Sequence, residues 1–137
     1  MSREAGRILI VGSILTMLAI ALGAFGAHGL KARVAPDQVA IFETGVRYQF
    51  YHGLALLFVG LLMFQLPKVK FREVVWLFSL GILFFSGSLY ILATRELTGW
   101  SSSIFGPLTP IGGLLFIFGW ISLIWKIALL LPNQVKN

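Results

Sequence analysis

Two histidines, His28 and His52, are the side chains of this sequence best suited to ligation or proton transfer. Two imidazoles can serve as the axial ligands of a haem or as part of a metal shell, but nothing completes a site around them. There is no cysteine and there are only five acidic residues. One of those acids, Glu43, lies four residues before Arg47, the spacing of an ion pair along a helix, so it is expected to be occupied. No nucleophile elbow, phosphate loop or zinc-protease helix is present, and Ser101 to Ser103 read as loop residues. The histidines are therefore expected to be structural, hydrogen-bonded to backbone or tyrosine, with no metal and no cofactor. The lack of cysteine also excludes disulfides and thiolate-held clusters.

The polar residues nonetheless gather in three stretches of sequence. Gly26-Ala27-His28-Gly29 is the first; the segment from Glu43 to His52 is the second; Arg95-Glu96, with Gly106 to Pro110, is the third. In the second stretch Glu43, Arg47 and Tyr51 form one row at i, i+4 and i+8, and Thr44, Tyr48 and His52 form a row beside it. The candidate polar cluster is thus His28, Glu43, Arg47, Tyr48, Tyr51, His52, Arg95 and Thr109. It reads either as a pocket or as a hydrogen-bonded plug that ties loops to a bundle.

What must position these groups is a set of membrane spans. Of the 137 residues 58% are apolar and 12% charged, well away from the balance of a soluble domain. The net charge of +6 comes from Lys and Arg scattered at the ends of apolar runs, a membrane-flank pattern that points away from nucleic acid. Ile8 to Ala27 carries no charge and is long enough for the hydrocarbon core. Arg3 and Arg7 before it and small residues after it also fit a secretory signal, but the segment is read as a retained first span. The other spans are expected at 48–66, 74–94 and 110–131, with Lys126 snorkelling from the last.

The fold class expected is an all-α membrane protein, a single domain over residues 1–137 formed by a four-transmembrane-helix bundle. Its first loop is amphipathic and partly helical: Pro36 and Asp37 suit a helix start, and Val39, Phe42, Val46 and Phe50 make an apolar stripe. A helix running from Pro36 to Leu66 exceeds the bilayer core, so a bend at Gly45 is expected. Ala19, Gly23 and Ala27 have the small-xxx-small spacing of close helix packing, with Gly112 and Gly113 as counterparts in the fourth span. Seven Lys and Arg fall at the amino terminus, second loop and tail, and four in the first and third loops, which predicts cytoplasmic termini.

Three segments carry a family resemblance: Gly23-Ala-Phe-Gly-Ala-His-Gly-Leu30, Phe42-Glu-Thr-Gly-Val-Arg-Tyr-Gln-Phe-Tyr-His-Gly-Leu54 and Gly106-Pro-Leu-Thr-Pro-Ile-Gly-Gly113. The chain resembles the domain-of-unknown-function 423 family of small membrane proteins, found in bacterial inner membranes. The resemblance implies four spans and a biochemical activity that is not established, with no catalytic residue to carry over.

The function expected on these grounds is that of a small inner-membrane protein without catalysis: a scaffold, stabiliser or accessory subunit. The lipid bilayer is its first partner, joined by another membrane protein or a second copy of the chain. The alternative is a small-solute, ion or lipid-binding or transport protein using an outward-facing polar cluster. The first span has no acid, which counts against a small proton-coupled exporter.

Overall fold

The computed structural model describes residues 3–100 and 102–130. Four of its helices are long and apolar enough to cross a membrane: α1 (Arg3–Leu30), α2 (Pro36–Gln65), α3 (Arg72–Ala93) and, after two single turns, α6 (Leu108–Ala128). The single turns are α4 (Arg95–Thr98) and α5 (Ser102–Phe105). No strand occurs among the described residues. The protein is an all-α membrane protein with four candidate spans. The end set at 131 for the fourth span, as well as Ser101 and Lys136, lie outside the described residues.

Local chemistry sets the helix ends. Ala35 is extended (φ −65°, ψ 154°), and Pro36 and Asp37 follow in the first turn of α2, where a missing N–H costs nothing and a carboxylate favours the helix dipole. At the other end Pro67 follows Leu66, which has left helical geometry (φ −122°, ψ 64°). Gly99 closes α4 in the left-handed region (φ 72°) and donates its N–H to the Arg95 carbonyl at 2.8 Å.

The helix that carries the second span begins well before residue 48, at Pro36. α2 is one helix of 30 residues, unbroken at Gly45, where a bend was expected. Gly45 instead admits a neighbour: a Cβ there would lie 2.9 Å from the Tyr90 ring and 3.2 Å from the Ser86 carbonyl. The helical part of the first loop thus runs from Pro36 straight into the span as one helix. The true connection is the turn from Lys31 to Ala35.

Two π-helical turns interrupt the spans, Gly26–Leu30 at the end of α1 and Ile82–Ser86 within α3. The first coincides with the Gly-Ala-His-Gly stretch, and Lys31 N–H there reaches back to the Gly26 carbonyl at 3.2 Å. Each wide turn adds one residue and so rotates the side chains beyond it relative to those before it.

The largest apolar cluster joins Ala55, Leu56 and Val59 of α2 to Phe71, Val74, Phe78 and Ile82 around α3, and to Phe116 and Leu123 of α6. A smaller one holds Leu30, Phe42 and Ala93. Large aliphatic side chains are exposed along α1 and α6, among them Ile10, Met17, Ile117 and Ile124. On helices of this length such faces contact lipid. Lys126 pairs with the half-exposed Glu73 at the start of α3.

Candidate functional site

The inward face of α2 is built from Gly45, Gln49, His52 and Gly53, all buried, at the i, i+4, i+7 and i+8 spacing of one helix side. The two glycines let neighbouring helices approach; the two polar residues between them reach across. Gln49 spends both ends of its amide: Nε2 donates to the Leu15 carbonyl of α1 at 2.9 Å, and Oε1 accepts from the Tyr90 hydroxyl of α3 at 2.9 Å. One side chain thereby ties three spans.

His52 is equally committed. Its Nδ1 lies 2.8 Å from the Tyr48 carbonyl, which can only accept, so the proton sits on Nδ1. Its Nε2 then accepts from the Trp120 indole N–H of α6 at 3.2 Å. The ring stacks on Phe116 at 3.5 Å between centroids and 11° between planes, with Phe78 edge-on at 5.3 Å. Ser88 of α3 donates to the Phe85 carbonyl at 2.9 Å and lies 2.6 Å from the Thr109 hydroxyl of α6. In lipid every such group must be satisfied by protein, and these bonds satisfy one another across all four spans.

Among the described residues two buried polar atoms have no partner, Gln38 Oε1 and Ser86 Oγ. Ser86 lies in the π-helical turn of α3, against the Gly45 face of α2. No group of three or more His, Cys, Asp or Glu that could hold a metal occurs among the described residues.

The eight residues gathered from sequence do not form one cluster; the structure parts them into three settings. His52 and Thr109 belong to the internal network, and the Tyr48 ring packs 4.6 Å from Phe85 and 6.1 Å from Phe116. Glu43, Arg47 and Tyr51 are exposed on another side of α2 and border a groove of about 320 Å³ against α1. His28 and Arg95 are exposed at helix ends.

Two expectations are corrected here. Glu43 and Arg47 form no ion pair; among the described residues the ion pair is Lys126 with Glu73. Both side chains are exposed, so neither is compelled to neutralise the other. Nor do His28 and His52 share a depth. Gly26 packs on Phe42 whereas Gly53 packs on Thr16, so His52 lies some ten residues beyond the level of His28, about 15 Å along the helix. The two histidines part because α2 already packs on the end of α1 at Phe42, about three turns before it reaches His52.

The small residues are also redistributed. Ala5, Gly12, Ala19 and Gly26 are the buried small positions of α1 and its π-turn, one every seven residues. Gly23 is half-buried against Val46, and Ala27 is exposed. A step of four advances about 40° around a helix, whereas a step of seven drifts only about 20°, so the seven-residue series stays on the seam. Gly112 is buried directly against the Phe85 backbone, whereas Gly113 makes ordinary contact with the Phe85 ring. Gln49, Ser88, Tyr90 and Trp120 were missed. Gln49 had a readable signal, lying midway between Gly45 and Gly53 on one face; the other three had none without their partners.

Comparison with known proteins places this bundle. The family described as a protein of unknown function (DUF423) matches residues 22–113. A UPF0382 membrane protein of Staphylococcus haemolyticus is 44% identical over 116 residues, covering 85% of this chain and 90% of that one. The UPF0382 membrane protein YwdK of Bacillus subtilis is 41% identical over 117 residues, covering 85% and 91%. The chain belongs to this family. It is a membrane protein whose relatives carry no named activity. No solved structure matches it. The matched region contains the whole of the α2 inward face, the π-turn at Gly26–Leu30 and the Ser88–Thr109 bond.

Proposed function

We propose that the protein works through its helix surfaces, as a non-enzymatic scaffold, stabiliser or accessory subunit of the cell's inner membrane with both termini cytoplasmic. The observation that supports this reading is the state of the polar groups inside the bundle. Gln49, His52, Ser88 and Thr109 are engaged across helices instead of lining a cavity. A carrier or channel needs groups free to exchange a solute for water; here the ring nitrogens of His52 and the amide of Gln49 are spent on holding helices together. The aliphatic faces of α1 and α6 remain for lipid, a protein partner or a second copy of the chain.

Protein reconstituted in sealed vesicles is expected to pass protons and monovalent cations no faster than protein-free vesicles. A flux abolished by Gln49→Leu or His52→Phe would replace the scaffold with a transporter. The seven-to-four Lys and Arg bias supports the orientation. A cysteine at Ala35 is expected to react with an impermeant thiol reagent in intact cells and one at Val69 to stay silent; the opposite pattern inverts the topology.

A further inference from the structure

The groove between α1 and α2 is the one feature of the second sequence motif that the internal network leaves unused. Its α1 side is shallow because it is made partly of Ala19 and Gly23; its α2 side carries Glu43, Arg47, Phe50 and Tyr51. The walls are mainly apolar and open to the membrane, and the two charges stand at one end. Arg47 and Glu43 make no ion pair with each other or with any described residue. Glu43 also borders a second hollow with Lys31, again without an ion pair.

The order of the two charges is informative. The charge-free part of α2 begins just after Arg47, so Arg47 stands at the edge of the hydrocarbon. Glu43 is four residues nearer the helix start, about 6 Å further out. A cation at the edge and an anion one turn beyond it mirror the headgroup of a phospholipid that ends in an amine, where the phosphate is the deeper charge and the ammonium the outer one. Guanidinium suits phosphate through paired N–H donors, and the carboxylate suits an ammonium that can donate hydrogen bonds. Tyr51, exposed one turn past Arg47 on the same row, would face the ester region of such a lipid. An acyl chain would then lie along the α1 wall at Ile20 and Gly23, against Phe50.

We propose that this groove holds one phospholipid with a primary-ammonium headgroup, its phosphate on Arg47 and its ammonium on Glu43. The site lies outside the bundle interior, so it stands or falls separately from the scaffold reading. A glycerol headgroup offers Glu43 hydroxyls but no cation to offset the phosphate's charge beside it, and a trimethylammonium headgroup offers Glu43 no donor; both fit less well.

The test is lipid retention, measured by native mass spectrometry on protein extracted from vesicles of equal parts phosphatidylethanolamine, phosphatidylglycerol and phosphatidylcholine. Retained phosphatidylethanolamine is expected to exceed either competitor roughly two- to five-fold, the range of one exposed charge contact. Arg47→Gln is expected to remove the retained lipid, and Glu43→Gln to bring phosphatidylethanolamine and phosphatidylglycerol to parity. The exchange Glu43→Arg with Arg47→Glu keeps the net charge but inverts the order, and is expected to lose the preference. Equal retention of all three lipids, a preference for phosphatidylglycerol, or enrichment that survives Arg47→Gln overturns the proposal. So does efficient disulfide cross-linking of two copies through Phe50→Cys, which would assign the groove to a second chain.

Discussion

Glycine serves the two halves of this bundle in different ways. Between α1 and α2 it mostly brings main chains together: a Cβ at Gly12 would lie 3.0 Å from the Gly53 carbonyl and the Leu57 amide, and one at Gly53 would lie 3.1 Å from the Thr16 amide, whereas Gly26 faces the Phe42 ring. Between α3 and α6 glycine mostly receives rings. Phe116 of α6 fills the space above Gly81, and Phe78 of α3 fills the space above Gly119, a reciprocal pair of knobs and holes. The exception in that half is Gly112, whose missing Cβ leaves room for the Phe85 backbone. A glycine facing a ring can be compensated by trimming the ring, whereas a glycine facing backbone cannot.

That distinction is open to breaking. Gly112→Ala is expected to have the largest effect, at least the about 1–3 kcal/mol of ordinary overpacking, read as loss of folded protein in a detergent melt. No single side-chain truncation should rescue it. Gly119→Ala is expected to destabilise as well, but Phe78→Leu in the same chain should recover part of the loss, a non-additivity readable in a double-mutant cycle. If Phe78→Leu rescues Gly112→Ala equally well, the contrast between backbone and ring contacts is wrong.

Gln49→Leu ranks next. It removes the bonds to Leu15 and Tyr90, and interhelical hydrogen bonds in membranes average about 0.6 kcal/mol each with a maximum near 1.7. The expected loss is thus about 1–3 kcal/mol, felt in both halves because Gln49 joins α1 to α3. A smaller effect would mean that the glycine seams alone hold the bundle. At the bottom of the scale, Gly87→Ala is expected to be neutral or slightly stabilising, since a Cβ there meets nothing within 4 Å and alanine is the better helix former. Arg47→Ala, exposed and unpaired, is expected to leave the melting temperature unchanged, although its spacing from Glu43 reads in sequence as a buried pair.

Position along the chain was legible where local and additive properties decide it. The charge-free run from Ile8 to Ala27 requires a span by length and hydropathy alone, and Pro67 ends a helix because it offers no N–H and crowds the preceding turn. The apolar stripe of Val39, Phe42, Val46 and Phe50 was readable as helix before its place was known. Less legible was that Asp37, Glu43 and Arg47 ride on the same unbroken helix as the span. Glu43 and Arg47 lie on an exposed side of a helix that already packs Val39 and Phe42 inward.

Facing, in contrast, belongs to the tertiary structure. Composition and spacing establish by themselves that this is a four-span membrane protein without a cysteine site or a metal motif. They also place Gln49 on one helical face with Gly45, Gly53 and, nearly, His52. They do not determine that this face points inward, because rotation about a helix axis is settled by close contacts with neighbours: the seven-residue series Ala5, Gly12, Ala19, Gly26 and the Phe78–Gly119 and Phe116–Gly81 pairs. Nor do they reveal the π-helical turns, which shift the register beyond Gly26 and Ile82. The same ten residues from Glu43 to His52 therefore divide into an inward hydrogen-bonded side and an outward charged side. Helical period supplies the two rows; packing alone assigns one to protein and the other to lipid.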